Sequence, residues 1–382
     1  MKKIITFYSY KGGVGRSMAL ANIAIRFAQH GNKVLMVDWD LEAPGLENFF
    51  GGEYNYINVE EVKQKKGLIE ILTGNETAEI RQKQWRDYVI PIQITDIETP
   101  LHLLSAGQRN ENYFDNVRKF DVDDFYKNEN GGEFIENLRN DWLAEYDYVF
   151  IDSRTGVTDI GGICTIQLPD ILVLLFTPTE QSFKGIIDIA LRATNAQQKL
   201  PYDRQRLACL PVPTRFDALS EFKLSQKWLD IFAKDLAPIY ELWLPAHVNR
   251  RRLLENTKVP YSSYFSFGEK LPVIEQGIND PAGLGYAYEF ITNLLRDDLQ
   301  NVELDNNAKP QDEKDSLLPA LTENEKQLLI YVVAGKTNTE IAELQKSSLD
   351  TVDMKITRIY KKFNVRNRVE LAVKAMTLFD IR

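Results

Sequence analysis

A glycine-rich stretch close to the N-terminus, YKGGVGRS from Tyr10 to Ser17, contains residue types that can bind phosphate. It lies between an apolar run, IITFY, and a helical pattern, MALANIAIRFAQHG. A turn of glycines between a strand and a helix directs several backbone N–H groups and the positive end of the helix dipole at one point. The hydroxyl of Ser17 can also reach a phosphate-bound Mg²⁺. The stretch therefore predicts a nucleotide-phosphate site.

This stretch departs from the two common phosphate-binding patterns. Against G-x-x-x-x-G-K-[ST], Tyr10 stands at the first glycine and Arg16 at the lysine. Against G-x-G-x-x-G, Met18 stands at the third glycine, which disfavours a dinucleotide such as NAD. Arginine keeps the positive charge, but its planar fork is bulkier than an ammonium group. We therefore expect ATP binding to survive better than turnover, and hydrolysis to be slow.

Two acidic segments follow predicted strands. KVLMVD runs into WDLEAPGL, with Asp38 and Asp40, and YDYVFID runs into SRTG, with Asp152 at the strand end. The carboxyl ends of parallel strands meet at one edge of a sheet, where ligands bind. Arg154, two residues beyond Asp152, fits a phosphate sensor and a surface ion-pair partner equally well.

The stretch KGGVGRS resembles the deviant Walker A loop, K-G-G-x-G-K-[ST], of the ParA and MinD family of ATPases. The resemblance implies ATP and Mg²⁺ as cofactors and an ATP-dependent homodimer in which Lys11 reaches the phosphates of the partner subunit. It implies catalytic roles for Lys11 and Asp40, and metal contacts from Ser17, Asp38 and Asp152. Thr214 and Arg215, in PVPTRFD, would approach the base. The implied nucleotide-binding residues are Lys11, Gly12, Gly13, Val14, Gly15, Arg16, Ser17, Met18, Gly156 and Arg215.

Short apolar runs alternate with helical patterns through the first three hundred residues, which predicts an α/β fold with a doubly wound, mostly parallel sheet. Runs without polar alternation, such as YVFID and ILVLLF, suit central strands covered on both faces. The predicted strands are Ile4–Tyr8, Lys33–Asp38, Leu101–Ser105, Tyr148–Asp152, Ile171–Thr177, Arg206–Val212 and Tyr240–Leu244. The predicted helices are Ser17–His30, Phe134–Ala144, Phe183–Gln198, Leu219–Leu236 and Leu284–Asp298.

The chain divides into three parts by its composition. Residues 1–299 form the predicted ATPase domain, with an irregular insertion of helices at about 48–130. Residues 300–316 are acidic, rich in amides and contain proline, which is typical of a linker. Residues 317–382 show the pattern of a small all-α domain of four short helices.

The C-terminal part resembles the LuxR-type helix-turn-helix domain, from LTENE through NTEIAE to KFNVRNRVELA. The resemblance implies binding to duplex DNA. The candidate DNA contacts are Thr351, Lys355, Arg358, Lys361 and Lys362. Asp353 departs from the family, because a basic residue is usual at that position, and Asp350 adds a second negative charge that disfavours phosphate or caps the helix. The basic residues fit a DNA-binding face or a solvated surface. The NRRR run at 249–252 likewise fits either surface charge or a second phosphate-contacting patch.

Composition limits the class of protein. The 382 residues carry a formal net charge of −9, and 26% of them are charged, which is typical of a soluble globular protein. Residues 317–382 carry eleven basic and eight acidic side chains, so this part has a charge of +3 and the rest −12. Two cysteines and three histidines disfavour a disulfide framework and a zinc site. Without a long apolar run or a secretory signal pattern, the chain is expected in the cytosol and away from membranes.

These patterns predict an ATP-driven dimerising switch that controls DNA binding through its C-terminal domain, in the manner of a transcription regulator. The alternative is a signalling or defence-pathway ATPase whose C-terminal domain docks a protein partner and not DNA. The two differ in whether duplex DNA binds at low salt.

Overall fold

The computed structural model describes residues 2–74, 76–155, 162–202, 204–217, 222–299, 323–333, 336–345 and 347–363, with positions 365, 368, 371 and 372. The chain divides into two compact units, Met1–Leu304 and Asp305–Arg382. The predicted linker at 300–316 lies outside the described residues, so its boundaries stay a prediction. No helix among the residues described is long and apolar enough to cross a membrane.

Seven strands of the described residues form one sheet in the first unit, in the order β3-β4-β2-β5-β1-β6-β7. All neighbouring strands are parallel except β3 and β4, which are antiparallel. The strands are β1 Lys3–Ser9, β2 Val34–Asp38, β3 Ile90–Pro91, β4 Leu101–Leu104, β5 Tyr148–Asp152, β6 Ile171–Phe176 and β7 Ala208–Pro213. This arrangement confirms the predicted α/β fold with a mostly parallel sheet.

Helices cover both faces of the sheet, because side chains alternate along each strand. In β2, Val34 and Met36 enter the core on one face, whereas Leu35 and Val37 enter the core on the other. The helices of the first unit are α1 Arg16–Gln29, α2 Val59–Gln64, α3 Leu68–Thr73, α4 Ala78–Tyr88, α5 Tyr113–Lys119, α6 Val122–Asn128, α7 Gly131–Glu145, α8 Glu180–Gln197, α9 Phe222–Asp235, α10 Ala237–Tyr240, α11 Arg250–Thr257, α12 Pro272–Glu275 and α13 Leu284–Arg296. Two short 3₁₀ turns, Leu46–Phe50 and Tyr264–Ser266, and one π-helical turn, Ile163–Gln167, complete the described regular structure.

Register brings the acidic residues together at one end of the sheet. Asp38 of β2 is directly opposite Asp152 of β5, and Phe7 of β1 is opposite Asp152 on its other side. The loop that follows β1 therefore lies beside the carboxyl ends of β2 and β5. This edge is where open α/β sheets bind ligands.

One predicted strand is wrong. Tyr240–Leu244 is not extended: Tyr240 ends α10, and the N–H of Leu244 donates to the carbonyl of Tyr240 at 2.7 Å. Tyr240 and Leu244 are both buried, and the four-residue spacing of two apolar side chains also fits a helical turn. A short apolar run alone therefore does not distinguish a strand from a helical turn.

The region from 48 to 130 contains the expected helices, but it also contributes β3 and the inner strand β4.

Both edge strands of the sheet contain proline. Pro91 lies in β3, and Pro211 and Pro213 lie in β7. The N–H groups of Ala208 and Thr214 donate to the carbonyls of Asp170 and Phe176, so these even-numbered positions direct their backbone groups toward β6. The odd-numbered positions of β7 direct their backbone groups away from β6. On that outer side Trp243 donates to the carbonyl of Cys209 at 2.8 Å, and Val259 donates to Pro213 at 2.7 Å. The outer edge of β7 is thus largely occupied within the chain.

The second unit is helical, with α14 Glu323–Val333, α15 Asn338–Leu344 and α16 Leu349–Phe363. Thr337 begins α15 with a capping box, in which its side chain accepts from the N–H of Glu340 and Glu340 bonds back to the N–H of Thr337. The predicted fourth helix falls largely outside the described residues. The helices share one apolar core formed by Leu328, Leu329, Val332, Ile341, Ala342, Val352, Ile356, Ile359, Phe363 and Leu371.

Candidate nucleotide site and nucleic-acid interface

The glycine-rich loop forms an open cradle between β1 and α1. Gly13 and Gly15 have φ angles of +72° and +88°, a region that favours glycine. A Cβ atom added at Gly12, Gly13 or Gly15 would meet no atom within 4 Å, so the concave side of the loop is open. The side chain of Val14 instead packs into the core, which leaves only its backbone for a ligand. Helix α1 begins at Arg16, with its first N–H groups at the cradle.

Tyr10 and Lys11 have separate roles at the start of this loop. The ring of Tyr10 lies against Gly185 of α8, where an added Cβ would come within 2.2 Å of the ring. Lys11 is exposed, and its Nζ lies 5.9 Å from the centre of the Tyr10 ring. Tyr10 thus fixes the loop to α8, whereas Lys11 stays available on the surface.

Asp152 is the centre of the polar cluster beneath the loop. It is 2% exposed, and its Oδ2 accepts from the hydroxyl of Ser17 at 2.5 Å. Its Oδ1 accepts from Nε of Arg16 at 2.5 Å, and Asp40 Oδ2 accepts from Nη2 of Arg16 at 2.9 Å. Burial raises the pKa of Asp152, while Arg16 and the Ser17 hydroxyl oppose that rise. Ser17, Asp40 and Asp152 therefore lie close together around Arg16.

Arg16 is turned toward the protein and not only toward the cradle. Its side chain is 8% exposed, and burial disfavours its charge, but the carboxylates of Asp152 and Asp40 outweigh burial and raise its pKa. The guanidinium therefore stays charged. Its third nitrogen, Nη1, is buried without a hydrogen-bond partner among the described atoms.

Asp38 organises the loop after β2. Its Oδ1 accepts from the N–H of Asp40 at 3.1 Å, and its Oδ2 accepts from those of Gly45 at 3.0 Å and Leu46 at 3.2 Å. Burial, with Asp152 and Glu47 nearby, raises the pKa of Asp38 to about 8. Both oxygens are engaged by backbone groups, which favours a structural role over the metal contact expected for it. Its metal-binding role stays a prediction.

A cleft of about 690 Å³ extends from the cradle, lined on one side by Asp40 and Asp152 and on the other by residues that follow β7. Thr214 is buried and its hydroxyl donates to Phe176, whereas Arg215 lines the cleft and donates from Nη1 to the carbonyl of Gly13 at 2.8 Å. Met18 also lines it. Sequence reasoning missed a group of cleft residues that the run PYSSYFSFGE at 260–269 contributes. They are Pro260, Tyr261, Ser262, Phe265, Ser266, Gly268 and Glu269.

Arg154 resolves toward its ion-pair alternative, because its guanidinium bonds Glu42 of the loop after β2. The NRRR run does the same: Arg250 bonds Glu241 at 3.0 Å, and Arg251 bonds Asp230 at 2.8 Å. Gly156, expected near the γ-phosphate, lies outside the described residues. The sequence motif alone could not decide these pairs, since the acidic partners are distant in the chain.

The residues present fit a nucleoside triphosphate and Mg²⁺ in type. The cradle offers backbone N–H groups, Arg16 Nη1 is an unpartnered buried donor, and Ser17, Asp40 and Asp152 offer the oxygen atoms that Mg²⁺ prefers. Arg16 already bonds two of those carboxylates, however. A magnesium ion and Arg16 would therefore share the same oxygen donors.

The candidate DNA-binding residues of the second unit lie on α16. Arg358 and Lys362 are exposed, and Lys355 and Thr351 are half-buried. Lys362 bonds Glu325 at 2.8 Å, and Asp353 accepts from Asn338 at 2.6 Å. The Thr351 hydroxyl lies 2.7 Å from that of Ser348. The side chains of Lys361 and Asp350 are outside the described residues.

Comparison with known proteins agrees with both units. A family model described as an AAA domain matches residues 2–203, and one described as bacterial regulatory proteins of the luxR family matches residues 319–375. An ATP-binding protein of Methanocaldococcus jannaschii is 24% identical over 201 residues, covering 52% of this chain and 62% of that protein. The septum site-determining protein MinD of Helicobacter pylori is 29% identical over 197 residues, covering 49% of this chain and 60% of MinD. The chain thus spans less than two thirds of these relatives.

Solved structures share the fold of the first unit. The pNOB8 ParA structure has a TM-score of 0.52 and 17% identity, covering 78% of this chain and all (100%) of that chain. MinD of Pyrococcus horikoshii, solved with Mg-ADP, has a TM-score of 0.50 and 17% identity, covering 78% and 98%. The first family model covers more than half of the sequence. The chain belongs to the AAA domain family, as a ParA/MinD-like P-loop ATPase domain joined to a LuxR-type helix-turn-helix domain.

Proposed function

We propose that this protein is an ATP-binding, slowly hydrolysing switch that dimerises on nucleotide and thereby controls DNA binding by its helix-turn-helix domain. The observation that carries the proposal is the convergence of the open glycine cradle, Ser17, Asp40 and Asp152 in one cleft, in a chain that also contains a LuxR-type domain. The Mg-ADP bound to the related MinD structure supports the choice of ligand.

Backbone N–H groups from Gly12 to Ser17 bind the phosphates, and Met18 and Arg215 contact the nucleotide farther along the cleft. Asp152 and Ser17 would hold a magnesium ion, which would neutralise phosphate charge when bound. Asp40, beside Asp152 through Arg16, lies where it can orient an attacking water. The exposed position of Lys11 suits a contact with the phosphates of a second copy.

Hydrolysis is slow because Arg16 is committed to two carboxylates. Phosphoryl transfer depends on positive charge placed beside the β- and γ-phosphates. Two of the three guanidinium nitrogens of Arg16, Nε and Nη2, bond Asp152 and Asp40, so fewer of its N–H donors remain for phosphate. A displaced cation lowers the rate more than it lowers nucleotide affinity.

Dimerisation matters because one helix-turn-helix module contacts few phosphates and bases. Two modules held in one dimer bind a paired site with a high effective concentration for the second contact. Nucleotide state therefore sets DNA occupancy without touching the DNA-binding surface.

The mass of the full chain in solution, measured with no nucleotide, ADP or ATP, tests the proposal. We expect a dimer only with ATP, and a monomer in all conditions for Lys11→Ala. Lys33→Ala, which removes an exposed lysine at the start of β2, is the matched control and should dimerise as the wild type does. A wild-type mass that is the same under all three conditions contradicts the proposed switch.

A second function is favoured by the charges on α16. Asp353 is exposed on this helix, and Lys362 is paired with Glu325, which reduces the net basic charge that duplex DNA would meet. These features suit docking of a protein partner in a signalling or defence pathway. A mobility-shift titration on duplex DNA at low and moderate salt, with and without ATP, separates the two functions. Absence of DNA binding at low salt would favour the protein partner.

A further inference from the structure

Arg16 bonds the carboxylate of Asp152, proposed above to hold a metal ion, and also that of Asp40. Its Nε and Nη2 bond Asp152 Oδ1 and Asp40 Oδ2 at 2.5 and 2.9 Å, and its buried Nη1 has no partner among the described atoms. Arg16 also lines the cleft, next to the glycine cradle. One residue thus bonds both acidic segments, lines the cleft and keeps one buried donor without a partner among the described atoms.

The contacts are strong enough to compete with a cation from solution. Hydrogen bonds between ionised partners are roughly twice as strong as neutral ones. Both carboxylates and the guanidinium are largely shielded from water, so breaking either bond leaves a buried charge unpaired. A divalent ion that approaches Asp152 must therefore displace Arg16 or coordinate around it.

We propose that Arg16 replaces magnesium: it joins Asp40 and Asp152 to a phosphate oxygen, so that nucleotide binds without a metal ion. Mg²⁺ enters only when Arg16 releases the carboxylates. This inference rests on the proposed nucleotide site. It adds that the guanidinium of Arg16 and Mg²⁺ exchange, in a regulated way, at the same carboxylate oxygens.

A lysine at position 16 forms this bridge less well. Its three N–H donors all come from one ammonium nitrogen, whereas the guanidinium bonds two carboxylates with two separate nitrogens and keeps a third without a partner. A purely structural ion pair would also hold Asp152 and Asp40, but it would leave the metal dependence of nucleotide binding unchanged. Metal dependence is therefore the property that distinguishes the two.

The test titrates the full chain with a fluorescent, non-hydrolysable ATP analogue in excess Mg²⁺ and in EDTA. For the wild type we expect dissociation constants within about threefold of each other, because the arginine bridge replaces the metal. For Arg16→Lys we expect binding in EDTA to be weaker than in Mg²⁺ by about tenfold or more. Arg139→Met removes another buried arginine, paired with Asp170 at 2.6 Å, and should keep the wild-type ratio.

A second measurement reports metal binding directly, so that it depends neither on activity nor on a difference in folding. Electron paramagnetic resonance of Mn²⁺ in the presence of the analogue reports metal bound at the site, and we expect Arg16→Lys to bind Mn²⁺ about tenfold more tightly than the wild type. Circular dichroism confirms that each variant is folded. An equal Mn²⁺ affinity in both proteins, or a wild type that loses nucleotide in EDTA as strongly as the lysine variant, overturns the inference. If the wild type binds no nucleotide with or without metal, the proposed function itself fails.

Discussion

The ring of Tyr10 occupies the space that any side chain at Gly185 would need: a Cβ there would lie 2.2 Å from Cγ of the ring. Tyr10 begins the phosphate loop, and Gly185 lies in α8, so this contact fixes the loop against the helix that follows β6. Tyrosine stands where the common phosphate loop has glycine, and the glycine on α8 accommodates it.

Gly185→Ala should therefore destabilise the first unit and weaken nucleotide binding. We expect a loss of about 1–3 kcal/mol in the free energy of unfolding, as for other overpacked sites, measured by denaturant titration. Adding Tyr10→Ala should restore part of that loss, because the clash disappears. Gly162→Ala is the control, since an added Cβ there meets no atom within 4 Å. Additive effects of the two substitutions would show that the contact is not responsible.

The core beside the cleft depends on Phe232 of α9. Its ring is buried and lies 4.9 Å from that of Phe176 and 4.7 Å from that of Phe183, centre to centre. Phe232→Ala should cost about 3–5 kcal/mol of stability, because it removes contacts and leaves a cavity. Phe114→Ala, at a side chain that is 55% exposed, should change stability by no more than about 0.5 kcal/mol. A comparable loss from both would argue against this core.

Stability should decrease in mild acid because of His102. Burial lowers the pKa of His102, and its Nδ1 lies 2.7 Å from the hydroxyl of Tyr146. The unfolded chain then binds a proton below about pH 6.5 that the folded chain does not, so the stabilisation is present above that pH and lost as the pH falls. His102→Phe should lose less free energy of unfolding than the wild type between roughly pH 7 and 5. His247→Phe, at an exposed position, should follow the wild-type curve. Identical curves for His102→Phe and the wild type would contradict the assignment.

Charge on α16 should set the affinity for duplex DNA. Asp353→Asn removes a negative charge while keeping an oxygen for Asn338, so it should tighten DNA binding at low salt. Lys355→Ala should weaken binding and reduce the slope of log affinity against log salt by about 0.9. Mobility-shift titrations at several salt concentrations measure both effects. Tighter binding by Lys355→Ala, or no effect of either change, would place the contact surface elsewhere.

Much of the architecture could be predicted because it depends on local patterns. Continuous apolar runs identified β1, β2, β5 and β6 to within one or two residues, since fully buried strands need no polar alternation. The expectation that Asp40 and Asp152 lie at one site came from the resemblance of their segments to those of the ParA and MinD family, each at the end of a strand.

Other features depend on contacts that sequence spacing does not encode. The loop motif places Arg16 at the cradle, but its orientation is decided by the charges of Asp152, at the end of β5, and Asp40, in the loop after β2. The same holds for Asp38, whose oxygens are engaged by backbone groups up to eight residues away. The aromatic run at 260–269 reaches the cleft through the bond between Val259 and Pro213, a tertiary contact without a sequence signal.

The prolines at both edges of the sheet restrict how copies of this protein can associate. Pro91, Pro211 and Pro213 lack the N–H that an added strand would require, and Cys209 and Pro213 already share their outer carbonyls with Trp243 and Val259. A second molecule therefore cannot readily extend the sheet sideways into a polymer. The self-association proposed above would then use side-chain surfaces, where it can respond to a ligand and be reversed.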